Sequence, residues 1–513
     1  MPEHFLINLR NNIKPEWKLA FFSAIIIGFL THAYVFLNRL PNHDGMTNIY
    51  NTQAKVVSGR FFLGPASGMS TYFDLPWVIG LLSLLFLALA AVCVVELFHL
   101  QKKFSIVLVT GLMVTFPSVS ATFSYIFTAD GYMLGILFSV LAILLTKKYT
   151  FGFLPGAILL GLSVGIYQAD LSIALAFITL YLIYRILFTS IQNKHLWQLI
   201  GRYGLMVGIG MGFYLVVYKF YTSILGGKIT TYQGLDKVGT VSLGDFPEKL
   251  PLIVQQLKSF FFYSTVTYKH FNFFEMLNTM LILLLVLILP IWIIRKHVYK
   301  QVSQMLVLFV LICTLPISYY IVYFISPDVG YHMLMVFSIS TAYLFLVLFY
   351  EALNEIKPKL IEKCAAWLMV LTLGLSIFNF ALIANITYFN MELRFEKSLQ
   401  LGSRILTRIE QLDDYKDIKK IAISGRIKMR TELAAETLPQ RIPVMTGAMG
   451  DVVLSAQYHY QSMLENFLGY RVEAASEEEM QAIYETKEFK EMGTWPANDS
   501  VHVFDDIVMI KFE

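Results

Sequence analysis

The chain has 513 residues, of which 56% are hydrophobic and 15% charged, with a mean hydropathy of +0.60. Soluble domains carry about 25% charged residues, so this composition excludes an ordinary globular protein and points to a membrane protein. The net charge of +4 is small and the basic residues are dispersed, which excludes a nucleic-acid surface.

The N-terminal stretch MPEHFLINLRNNIKPEWK has no short apolar core followed by a small-residue cleavage site. The first apolar run is therefore expected to be a retained helix. Runs long enough to cross about 30 Å of hydrocarbon lie near 18–38, 74–98, 104–118, 131–147, 153–168, 171–189, 199–222, 274–295, 302–325, 330–350 and 364–387. They predict a polytopic α-helical membrane protein with about eleven transmembrane helices over residues 1–390. A soluble α/β domain is expected over 391–513.

Arg10, Lys14 and Lys18 precede the first run, and lysines and arginines follow the second, fourth, sixth, eighth and tenth. All fall on one side if the N-terminus is cytoplasmic. That topology puts the loops 39–73 and 223–273 and the tail outside. The loop 223–273 is the exception to the charge rule, since it holds Lys228, Lys237, Lys249, Lys258 and Lys269.

The first loop is the densest in chemistry. It carries His43, Asp44, Lys55, Arg60 and Asp74, with glycines at its bends. Within it, Met46–Val57 places Ile49, Tyr50, Ala54 and Val57 on one helical face, which predicts a short helix in the membrane interface. A loop that only connects two helices has no need of these groups, so it reads as the front of an active site.

Asp74, Asp130, Asp170 and Asp328 stand at the N-terminal ends of predicted helices, where a carboxylate accepts backbone N–H groups and complements the helix dipole. Gln168 and Asp170 also offer polar groups to a cavity, because such groups are costly in a membrane unless they face protein or water. Cys93, Cys313 and Cys364 lie in separate apolar runs with no disulfide or metal-ligand spacing.

In the tail, ELRFEKSLQLGSRILTRIEQL reads as an amphipathic helix, KKIAISG as a short buried strand, EEEMQAIYETKEF as a helix and SVHVFDDIVMIKFE as a closing hairpin. No Walker A, Rossmann glycine fingerprint, HExxH or nucleophile elbow is present, so the donor of any reaction should be membrane-borne.

An acid beside cations at the headgroup level suits transfer from a lipid-phosphate sugar. The attacking hydroxyl needs a general base, which Asp44 can supply. The departing phosphate needs cations. Arg60 and Lys55 are nearest in sequence, with Lys269, His270 and His332 more distant. His43, Gln168, Asp170 and His270 complete the candidate substrate contacts.

The segments NHDGM, SGRFF and YFDLPWVIGLLSLLFLALAAV, followed by FPSVSATFSYIFTADGYMLG, GLSVGIYQADLSIAL, DVGYHMLM and YFNMELRFEKSL, resemble the glucosyltransferase type II family of the GT-C membrane glycosyltransferases. The resemblance runs from roughly 20 to 400. It implies a GT-C fold, a polyprenyl-phosphate sugar donor (typically glucose) and a cell-envelope glycan acceptor. It also implies a site at the outer face of the bacterial cytoplasmic membrane. The family's acid in the first outer loop corresponds to Asp44, and Asp130 matches a second motif acid. Some GT-C enzymes bind a divalent metal, but no ligand spacing for one occurs here and a metal-independent, inverting enzyme is expected. Two alternatives remain: a polymerase or ligase of lipid-linked oligosaccharides, and a flippase or transporter. The absence of an internal repeat and the collection of ionisable residues at the outer ends weigh against the last.

Overall fold

Proline opens the first turn of helices Pro15–Leu37 (α1) and Pro76–Phe98 (α2), where its missing N–H costs nothing. Pro117 does the same after Lys103–Thr115 (α3), ending it and starting the seven-residue Pro117–Phe123 (α4). In the computed structural model the described residues are 4, 13–51, 53, 58–68, 72–225, 231, 243–262, 272–326, 328–353, 359–427 and 443–513.

The chain continues through Ala129–Lys148 (α5), Phe153–Ile166 (α6), Asp170–Phe188 (α7), Asn193–Leu225 (α8) and Phe246–Phe261 (α9). Phe273–Arg295 (α10), Val302–Tyr319 (α11), Ser340–Ala352 (α12) and Leu360–Glu410 (α13) follow. α1 packs on α2, α2 on α5, and α6 on α8. The α1–α2 contact is close: a Cβ on Gly80 would come within 2.2 Å of the Phe36 ring.

Nine helical segments among the described residues, not eleven, are long and apolar enough to cross a membrane. The two other expected spans are shorter. Residues 153–168 give the 14-residue α6. In 330–350, the 3₁₀ turns Met333–Met335 and Phe337–Ile339 precede the 13-residue α12. The segment 223–273 is not simply a loop, because α9 lies within it and buries Ile253, Phe260 and Phe261.

Short turns fix which ends share a face. Phe62 N donates to the Gly165 carbonyl, so the first loop meets the α6–α7 turn. At the opposite face, Lys147 Nζ donates to the Leu97 carbonyl at the end of α2.

α13 is 51 residues long, about 76 Å at 1.5 Å per residue. That is more than twice the roughly 30 Å of a hydrocarbon core. Its first half exposes Trp367, Leu371 and Phe378, while Leu401, Ile405 and Ile409 pack into the C-terminal unit. The expected boundary near residue 390 thus falls inside one continuous helix.

That unit contains strand Lys420–Ser424 (β1), helix Gln457–Leu468 (α14), strand Glu473–Ala474 (β2), helices Glu477–Glu485 (α15) and Lys487–Glu491 (α16), and the antiparallel hairpin Val501–Phe504 (β3) with Ile507–Lys511 (β4). The sheet order is β2-β1-β4-β3, with β1 parallel to both neighbours. Ile421, Val508 and Ile510 face Leu401, Ile405, Met463 and Leu464 in its core. Met46 of the first loop is fully buried in the same core.

Candidate active site

The first loop leaves α1 through a turn in which Asn42 Oδ1 accepts from Gly45 N at 2.7 Å. The Asp44 carbonyl accepts from Thr47 N and Asn48 Nδ2, at 3.2 and 2.8 Å. These bonds hold the main chain and leave the Asp44 side chain 47% exposed, 3.7 Å from His43 Nε2.

The expected interfacial helix over Met46–Val57 does not form in the described part, and residues 52 and 54–57 lie outside it. Tyr50 instead bridges Phe73, with Asn51 N bonded to the Tyr72 carbonyl and Asp74 N to that of Ile49. Asn48 and Ile49 are both buried while Tyr50 is 62% exposed, and the backbone bonds of the stretch run across to residues 72–74 rather than along a helix. The reason is tertiary: Met46 is drawn into the C-terminal core, and Ser462 Oγ donates to its carbonyl at 2.6 Å.

The C-terminal unit therefore completes the surroundings of Asp44. The His43 ring lies edge-on to Tyr125 and to His459, at centroid separations of 6.0 and 6.1 Å. His459 Nδ1 accepts from the backbone N–H groups of Ser455 and Ala456, which places its proton on Nε2, a buried atom with no hydrogen-bond partner. Burial and the nearby His43 push the His459 pKa down to about 4. His43 is also held below its ordinary value, by burial above all and by Arg394, against the opposing pull of Asp44. Arg394 on α13 donates to the carbonyls of Gly447 and Val452 at 2.8 and 3.2 Å, tying the 447–452 segment beside Tyr125.

Arg60 sits in a second cluster of the loop. Its Nη1 donates to the Tyr132 hydroxyl at 3.1 Å, and its guanidinium lies 4.8 Å above the Tyr167 ring, which stacks on Tyr132. Gln168 Nε2 donates to the Ser58 carbonyl at 2.7 Å, and the Tyr214 hydroxyl donates to that of Gly59. Gln168 thus fastens the loop that carries Arg60.

Asp130 is fully buried in the first turn of α5 and accepts from Gly131 N at 2.9 Å. Asp170 is buried against α5 and α6, where the Ser163 hydroxyl donates to it, so it packs helices together. None of Asp74, Asp130 and Asp170 is the N-cap residue, since Leu75, Thr128 and Ala169 hold those positions, although Asp130 does accept a first-turn backbone N–H from Gly131. Asp74 is buried with Oδ1 lacking a hydrogen-bond partner, and burial pushes its pKa up to about 6 against the pull of Arg39. His332 lines a cavity of about 160 Å³ with Gln256, Tyr320, Tyr331 and Thr446, and burial lowers its pKa. Its Nδ1 is 3.4 Å from Thr446 Oγ1. Lys55, Lys269 and His270 lie outside the described residues.

A family model described as Glucosyl transferase GtrII matches residues 33–351. The chain belongs to the GtrII family. With its apolar helices, it is a membrane-embedded glucosyltransferase. The matched span contains both loop clusters, Asp130 and His332, and stops before Arg394 and His459. No curated protein and no solved structure matches the chain.

Sequence reasoning passed over His459, Arg394 and Tyr125. Arg394 stands in the YFNMELRFEKSL segment and Tyr125 in TFSYIFTAD, so both were within view. His459 had no signal, since it reaches His43 only through the docking of α14.

Proposed function

We propose that the protein is an inverting glucosyltransferase of GT-C type. It moves glucose from a polyprenyl-phosphate donor to a cell-envelope glycan at the outer face of the bacterial cytoplasmic membrane. The acceptor hydroxyl oxygen attacks the anomeric carbon while the bond from that carbon to the phosphate oxygen breaks. The hydroxyl proton passes to the Asp44 carboxylate, and the electron pair leaves with polyprenyl phosphate, whose charge Arg60 and Lys55 offset. Direct displacement by one base gives inversion. No metal takes part in this reading, and the membrane lipid and the glycan are the partners.

The observation that carries the reading is Asp44 itself. Its main chain is pinned by three hydrogen bonds while its carboxylate stays half exposed beside His43, which packs in turn on His459, both histidines being held below their ordinary pKa. Neutral imidazoles do not occupy the carboxylate as ion-pair partners would, so it remains open to a hydroxyl.

The test is transfer from synthetic polyprenyl-phosphate glucose by purified wild type and Asp44→Asn. The variant is expected to keep its thermal midpoint and lose about 10²–10⁴-fold in turnover, the usual contribution of a general base. Near-full activity of the variant would remove Asp44 from the mechanism. A wild type that moves the lipid across vesicles without transferring its sugar would establish a flippase instead.

A further inference from the structure

A second charged cavity lies at the membrane face opposite the first loop. It has a volume of about 610 Å³ and sits where α5 and α7 end and α8 begins. Lys147, Arg185, His195 and Arg202 line it together with Tyr181 and Gln198, and no carboxylate does. The first loop, Asp44 and the C-terminal unit lie at the other end of the bundle, so the proposed transfer does not use this cavity.

The cations are fixed by neutral groups. Lys147 Nζ donates to the carbonyls of Glu96 and Leu97, at 3.0 and 2.8 Å, and is 2.9 Å from His99 Nε2. Arg185 donates through Nε to Thr189 Oγ1 and through Nη1 to the Tyr181 hydroxyl. Arg202 Nη2 bonds the carbonyls of Thr146 and Tyr149, and its buried Nε has no hydrogen-bond partner. Among the described residues, Glu96 is the acid that acts on Lys147, and its carboxylate already pairs with Lys14 at 2.8 Å and accepts from Trp17. Three positive charges therefore converge on a space whose lining, among the described residues, holds no carboxylate. Cations serving only to anchor helix ends would point outward to the headgroups. These turn inward between helices.

We infer that this cavity binds the phosphate of an anionic lipid headgroup. Guanidinium groups match phosphate oxygens, and basic pockets between membrane helices take such headgroups. The apolar part of the wall points to a lipid over a free ion, because Leu205 both lines the cavity and is 54% exposed on the lipid-facing side of α8. A bound lipid would bridge α5, α7 and α8.

The experiment titrates the full-length protein in neutral detergent with tail-labelled phosphatidylglycerol, with phosphatidylcholine and inorganic phosphate as separate arms. Wild type is expected to bind phosphatidylglycerol and not phosphatidylcholine. Arg185→Gln should weaken binding about tenfold, as befits loss of one charge-assisted hydrogen bond. Gln198→Glu, at an exposed position that leaves packing intact, should do the same by adding the missing acid. Lys148→Gln removes an exposed charge at the same face but outside the cavity and should change little. Equal weakening by Lys148→Gln, or equal binding of the two lipids, would overturn the proposal. Phosphate binding that Gln198→Glu abolishes, without any preference for phosphatidylglycerol, would keep a phosphate site and reject the lipid.

Discussion

His459 and His43 face each other across the seam between the first loop and the C-terminal unit, with Asp44 and Arg394 as the other charged neighbours. The folded pKa of His459, about 4, lies below its ordinary 6.5. The folded chain then binds fewer protons than the unfolded chain between those values. Stability from this group is complete above about pH 6.5 and is lost as the pH falls toward 4. The thermal midpoint of the purified protein should drop between pH 7.5 and pH 5, and His459→Gln should shrink that drop, with His43 supplying the remainder. Equal drops in the two proteins would mean that His459 titrates freely. Gly59 makes a second prediction at this scale. Its φ is +74°, and a Cβ there would lie 2.6 Å from Gln168 Nε2 and 2.7 Å from the Tyr214 hydroxyl. Gly59→Ala should destabilise the loop by about 1–3 kcal/mol. Because the same loop carries Arg60, KM for the proposed lipid donor should rise more than kcat falls.

Among the elements, α13 and the first loop connect membrane and tail. No proline or glycine occurs between Gly374 and Gly402, so nothing stops the last span from running on into the amphipathic segment. The change of composition near residue 390 suggests two helices, but a change in solvent does not break a helix. The β3–β4 hairpin, β1 and α15 are legible in the sequence, the strands as short apolar runs that end up buried in β1 and β4 and the helix as a charged segment with periodic apolar residues. The interfacial helix was misread because a periodic apolar pattern in a short loop says nothing about which core will take its side chains. Met46 is the decisive residue. Met46→Ala should leave a cavity in the C-terminal core and cost about 2–5 kcal/mol. The measurement is limited proteolysis, in which the C-terminal unit of the variant should be cleaved faster while the membrane helices stay protected. Unchanged cleavage would mean that the unit holds its place without the plug.

At the scale of the whole molecule, sequence by itself determined the class, the positions of the apolar segments and the family. A bilayer demands long uninterrupted apolar runs whose backbone bonds close within each helix, and such runs are visible one residue at a time. The run at 153–168 counts as a full span by its apolar length, yet an apolar residue need not stay helical: Tyr167 leaves the helix and stacks on Tyr132. Sequence also singled out Asp44 and Arg60, since reactive side chains crowded into one loop need no contact map to be noticed. Only the tertiary structure decided how they are partnered. Tyr132 and Tyr167 come to Arg60 from α5 and the α6–α7 turn, while Arg394 and His459 come to His43 and Asp44 from more than 300 residues away. The same is true of the cation-lined cavity, whose residues come from three helix ends that read separately as ordinary membrane anchors. Pairings of this kind depend on packing between distant elements, and local propensity carries no record of them.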